Sequence, residues 1–62
     1  MVIRVLLADD HGVLREGVQR LLEANADIKV IATAEDGRLA VEKAAELQPD
    51  VVVMDKIGRA HV

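Results

Sequence analysis

The chain has 62 residues, a formal net charge of −3 and 52% apolar residues, with no cysteine, tryptophan, tyrosine or phenylalanine. This composition excludes disulfide scaffolds, thiolate zinc sites and aromatic platforms for stacking bases. The lack of a basic patch argues against nucleic-acid contact by this segment itself. The apolar share suits a folded α/β protein rather than a disordered one, although the length falls below the roughly 100–150 residues of an ordinary domain.

Residues 2–8, Val-Ile-Arg-Val-Leu-Leu-Ala, are nearly continuous in apolar side chains. Such a run reads as a central parallel strand rather than an alternating, half-exposed one. It is too short to cross a membrane, and Asp9-Asp10 interrupts it before a signal-peptide core forms. A cytoplasmic location with no membrane partner is therefore expected. Asp9-Asp10-His11-Gly12 breaks the strand, and over residues 13–24 the period changes to that of a helix. Leu14, Val18, Leu21 and Leu22 form its apolar stripe. Gly17 sits inside this helix at a cost of about 1 kcal/mol against alanine, for which close packing is one explanation. Asn25 is a candidate left-handed cap.

Residues 28–34 form the second predicted strand, and Lys29 suits a sheet edge. Glu35-Asp36-Gly37 is a turn signal. A second helix is predicted over residues 38–48, with Ala40, Val41, Ala44 and Leu47 facing inward. Pro49 ends it by pushing Gln48 out of helical geometry. The third strand, Val51-Val52-Val53-Met54-Asp55, reads as buried on both faces and carries one carboxylate at its C-terminal end. The order is β-α-β-α-β, and right-handed crossovers make a parallel sheet.

In open α/β sheets chemistry sits outside the carboxyl ends of the strands. If the first and third strands are neighbours, Asp9, Asp10 and Asp55 meet there. Each has an ordinary role available: Asp10 as a helix cap, Asp9 and Asp55 as solvated turn residues. Together they repel one another, which calls for protonation or for a cation. An almost purely oxygen donor set suits a hard ion such as Mg²⁺. The arrangement then makes sense for phosphoryl transfer, with one carboxylate attacking in line. His11 reads as a solvated loop histidine, with metal ligation as the alternative.

Val5-Leu6-Leu7-Ala8-Asp9-Asp10-His11, Leu14-Arg15-Glu16-Gly17 and Pro49-Asp50-Val51-Val52-Val53-Met54-Asp55 together resemble a bacterial two-component response regulator receiver domain. The Asp-Asp-His and Arg-Glu-Gly elements resemble the subfamily with a C-terminal LuxR-type helix-turn-helix. The resemblance covers residues 1–55 and implies the N-terminal half of a doubly wound, flavodoxin-like sheet, with strand order 2-1-3. It implies that Asp55 is the phospho-acceptor, that Mg²⁺ is held by Asp9, Asp10 and Asp55, and that the donor is a sensor histidine kinase. It further implies a signalling module rather than an enzyme. DNA would be contacted only by a separate output domain, and the full-length parent could form a homodimer. Residues 56–62 depart from the family pattern and are expected to be an aberrant, non-native tail after a partial receiver domain. The strand order also leaves residues 51–54 at an open edge, a template for association.

Three alternatives compete. A cobalamin-binding domain shares the sheet and an Asp-x-His-x-x-Gly loop, but Leu14 stands where that glycine belongs. A nucleotide-binding half-domain lacks its glycine-rich loop after the first strand. A non-phosphorylated interaction module on the same fold would have no need of all three carboxylates.

Overall fold

A computed structural model describes residues 1–55, the last of them by its backbone alone, so the expected tail at 56–62 lies outside the described residues. The elements are β1 (Ile3–Asp9), α1 (Gly12–Glu23), β2 (Ile28–Ala34), α2 (Gly37–Leu47) and β3 (Val51–Asp55). The three strands form one parallel sheet in the order β2-β1-β3. This is the predicted β-α-β-α-β arrangement, with Lys29 on an edge strand as expected.

β1 is the centre of the molecule because its apolar run has a neighbour on each side. Val5, Leu6, Leu7 and Ala8 are all buried, and Leu6 and Leu7 are fully so. Each such leucine stabilises the fold by about 1.5–3 kcal/mol relative to an exposed one. Ala8, Ala34 and Ala40 pack together with Leu39 against them, so small side chains let α2 lie close to the sheet. The β1–β2 ladder shifts register between Val5 and Leu6.

The helices form where the periodicity places them, and their inward faces match the expected stripes only in part. On α1 the half-buried residues are Arg15, Val18, Gln19 and Leu22, whereas Leu14 is 48% and Leu21 75% exposed. The rotation lets the Arg15 guanidinium reach the backbone carbonyl of Asp9, 2.8 Å away. On α2, Ala40 is buried and Ala44 and Leu47 are half-buried as expected, but Val41 is 68% exposed. Here Lys43 turns inward instead, donating to the Thr33 carbonyl. Gly17 has no packing reason, since a Cβ there would meet nothing within 4 Å.

Two termini differ from expectation. Asn25 is not left-handed; α1 ends on Ala24 in right-handed geometry, and the Asn25 side chain accepts from the Asp27 N–H. Gln48 is the residue that takes the left-handed conformation, at φ 50°, so Pro49 does remove it from the helix. The α2 carbonyls exposed at that end are met by Arg4. Its guanidinium donates to Gln48 O at 3.0 Å and Leu47 O at 2.8 Å, satisfying acceptors that have no partner inside the helix. At the other end of α2, the Asp36 carboxylate accepts from Leu39 N at 2.8 Å, an N-cap bond.

β3 is not buried on both faces. Val51 is 45%, Val52 38% and Met54 53% exposed. Among the described residues β3 pairs with β1 alone, and the two helices pack on β1 and β2 rather than on β3. Residues 51–54 thus lie on an edge, as the strand order implied.

Two substitutions check this description. Gly17→Ala should stabilise by about 0.5–1 kcal/mol, because it raises helix propensity at an exposed site with free space. Asp36→Ala should destabilise by about 1 kcal/mol through loss of the cap. Denaturant midpoints measured at unchanged slope would read both effects.

Candidate functional site

The site is built at the C-terminal end of the sheet. β1 and β3 pair in parallel with Val5 opposite Val51 and, four residues on, Asp9 opposite Asp55. Side chains along a strand alternate between faces, so residues 5, 7 and 9 share one side. Asp9 therefore inherits the burial of the strand that carries it and is 0% exposed. Asp10 follows the last strand residue and is 43% exposed at its side chain.

The register brings the backbones of Asp9 and Asp55 side by side, and the chain places Asp10 next to them. Asp10 does not act as the cap of α1. The N-cap is His11, which makes no side-chain cap bond. The Asp10 carboxylate instead meets the His11 ring, with Oδ1 at 2.7 Å from Nδ1.

Asp9 is the unusual residue. Its Oδ1 accepts from the His11 backbone N–H at 2.9 Å and lies 3.3 Å from His11 Nδ1. Its Oδ2 is buried and, among the described residues, has no hydrogen-bond partner. A carboxylate oxygen withdrawn from water and left unpaired is costly, so a cation is the natural partner for it. One donor atom from each of Asp9, Asp10 and His11 lies within 4.8 Å of the others, a spacing that a single metal ion can bridge. Carboxylate oxygens suit a hard divalent cation. The residues present thus fit Mg²⁺, with the orphaned Asp9 oxygen as the reason.

Two contributors were not legible in the sequence. Arg15 reads as one of several polar residues on a helix surface, but its bond to the Asp9 carbonyl ties the start of α1 to the end of β1. His11 reads as a solvated loop residue, and its side chain is indeed 61% exposed, yet Nδ1 lies between two carboxylates. The signal for both was their distance from Asp9 along the chain, two and six residues.

Mg²⁺ should raise the stability of the wild-type chain, by about 1.4 kcal/mol at tenfold excess over its dissociation constant. Asp9→Asn should lose that gain while being at least as stable as wild type in chelator, because it removes a buried charge from the cluster. Thermal or denaturant melts with and without Mg²⁺ measure both differences.

Comparison with known proteins gives a consistent result. The family described as the response regulator receiver domain matches residues 5–57. The transcriptional regulatory protein LiaR of Bacillus subtilis is 52% identical over 56 residues, covering 90% of this chain and 26% of that protein. A protein-glutamate methylesterase/protein-glutamine glutaminase of Carboxydothermus hydrogenoformans is 53% identical over 53 residues, covering 86% of this chain and 15% of that protein. The chain therefore spans about a quarter or less of these relatives. Among solved structures, a LuxR-family two-component response regulator from Aurantimonas sp. superposes with a TM-score of 0.85 at 42% identity, over 89% of this chain and 39% of that one. The doubly wound, flavodoxin-like arrangement and the resemblance drawn from the Asp-Asp-His and Val-Val-Val-Met-Asp motifs both stand, and the cobalamin-binding alternative falls. This chain belongs to the response regulator receiver domain family.

Proposed function

We propose that this chain is the phosphoryl-accepting part of a two-component relay, with Asp55 as acceptor and a sensor histidine kinase as donor. The observation that carries this reading is the β1–β3 register, which pairs Asp9 with Asp55 beside a buried carboxylate oxygen that has no partner. In the transfer, the Asp55 carboxylate attacks the phosphorus of a phosphohistidine. A P–O bond forms, the P–N bond breaks and the imidazole leaves, giving an acyl phosphate.

Asp9 and Asp10, with Asp55, would hold Mg²⁺. When bound, that ion offsets the repulsion of the carboxylates and the negative charge of the incoming phosphoryl group. The chain's own contribution is positional. Buried Asp9 keeps one oxygen free of protein partners, Arg15 fixes the Asp9 backbone, and Asp10 remains open to solvent at the mouth of the site.

The output is transcriptional in this reading. It rests on the LuxR-like Asp-Asp-His and Arg-Glu-Gly elements and on the similarity to a transcriptional regulatory protein. DNA is then contacted by an output domain outside residues 1–55, in the cytoplasm, and the chain itself performs signalling rather than catalysis. Among the described residues no helix is long and apolar enough to cross a membrane. Residues 56–62 are proposed to be non-native, which sequencing the locus beyond the Asp55 codon decides.

With a phosphorylated histidine kinase or acetyl phosphate as donor, the wild type should take up phosphate only when Mg²⁺ is present. Asp55→Asn should take up none. Incorporation that survives this substitution, or that runs to completion in chelator, overturns the assignment.

A further inference from the structure

The relation of His11 to the two carboxylates goes beyond this reading, although it rests on Asp9 and Asp10 being the metal-binding pair. Nδ1 of His11 stands 3.3 Å from Asp9 Oδ1 and 2.7 Å from Asp10 Oδ1. The backbone N–H of the same residue donates to Asp9 Oδ1, at 2.9 Å. Both atoms facing Nδ1 are carboxylate oxygens, which accept when ionised, so the proton belongs on Nδ1. A nitrogen that carries its proton has no lone pair for a metal. Nδ1 is therefore a donor to the carboxylates rather than a ligand beside them.

We propose that His11 is a positioning residue for the metal site, its Nδ1–H gathering the Asp9 and Asp10 carboxylates so that their remaining oxygens face a divalent cation. Three observations carry this. First, both contacts go to Oδ1, and the Asp9 oxygen left over is the buried one without a partner. Second, Asp10 is 43% exposed, so without a tether its side chain is free to rotate into water, and ordering it would be charged against metal binding. Third, His11 serves the fold little. Its side chain is 61% exposed and makes no cap bond to α1, although it occupies the N-cap position. Ser, Thr, Asp and Asn are the residues that serve capping there. Hydrogen bonds from outside the ligand set commonly orient metal ligands in this way, and removing one weakens affinity about 10–100-fold.

The test uses the full-length chain and three variants. Mg²⁺ binding is read by calorimetry and Mn²⁺ binding by electron paramagnetic resonance, neither of which needs phosphoryl transfer. His11→Ala should weaken both ions by about tenfold or more. His11→Asn, whose side-chain amide puts an N–H near the position of Nδ1, should recover most of the affinity. His11→Gln, whose amide lies one bond further out near the position of Nε2, should not. Circular dichroism should be the same for all four proteins, since the substituted side chain is largely exposed. In wild type, the ¹⁵N resonance of His11 Nδ1 should remain that of a protonated nitrogen when Mg²⁺ is added.

Equal affinity in wild type and His11→Ala overturns the positioning role while leaving the metal site intact. Tighter binding in His11→Ala overturns it too, and would make the imidazole a competitor for the site. Recovery by Gln but not Asn, or a metal-shifted Nδ1 resonance, makes His11 a ligand instead. A wild type that binds neither ion overturns the metal reading of Asp9 and Asp10 itself.

Discussion

A carboxylate at the end of the central strand, fully buried and with one oxygen unpartnered among the described residues, is the constraint on which the rest depends. β1 has to be apolar because it is central in the sheet and both helices pack on it, and its burial of Leu6 and Leu7 supplies much of the stability the fold has. The same strand delivers Asp9 into that interior. A slip of one residue in β1 would send Asp9 to the other face and replace it with Asp10. The chemistry at the sheet edge and the packing of the core are therefore specified by one register.

That register is held at both ends by arginine. At the N-terminal end of the ladder, Arg4 N–H donates to the Asp50 carboxylate at 2.8 Å and Asp50 N–H donates to Arg4 O at 2.9 Å. The Arg4 side chain meanwhile covers the last carbonyls of α2, so helix end, loop and strand start are fixed together. Val5 opposite Val51 follows at once, and Asp9 opposite Asp55 follows from that by simple counting. At the other end Arg15 bonds the Asp9 carbonyl, which sets where α1 begins relative to the strand. These charged residues act through backbone groups, and their effect is to aim carboxylates they do not touch.

The strands, their order and the convergence of Asp9 with Asp55 were legible because each rests on a short-range signal. Continuous apolar runs mark strands, and Gly37 and Pro49 mark where helices begin and stop. The inward faces of the helices were less legible. Periodicity identifies a helix, but Leu21 and Val41 show that it does not decide which of two adjacent stripes turns to the sheet. Arg15 and Lys43 took inward positions because carbonyls at the sheet were available to them, a fact set by tertiary geometry. The apolar run of β3 predicts burial on both faces, but an apolar run does not by itself show that anything packs on the strand. Among the described residues one strand covers one edge of it. Residue type points to Asn25 as the left-handed end of α1, but α1 ends right-handed on Ala24; the left-handed residue is Gln48 at the end of α2, where the chain must leave a helix before proline and Arg4 binds the freed carbonyl.

A metal site of the proposed construction would couple occupancy to stability. The ladder bonds that set the position of Asp9 form whether or not a cation is present, so the unpaired oxygen cannot relax by moving out to water. Its cost is carried by the empty state and lifted in the bound one, which makes the differential interaction large for an ion that touches few side chains. Asp10, outside the ladder and 43% exposed at its side chain, contributes the opposite property, a carboxylate open to solvent. A buried carboxylate fixed by strand register and a more exposed one beside a histidine would together give a site preorganised at its base and open at its mouth. On the proposed reading such a construction suits phosphoryl acceptance from a second protein, because the donor would have to reach the acceptor while the neutralising charge stays in place.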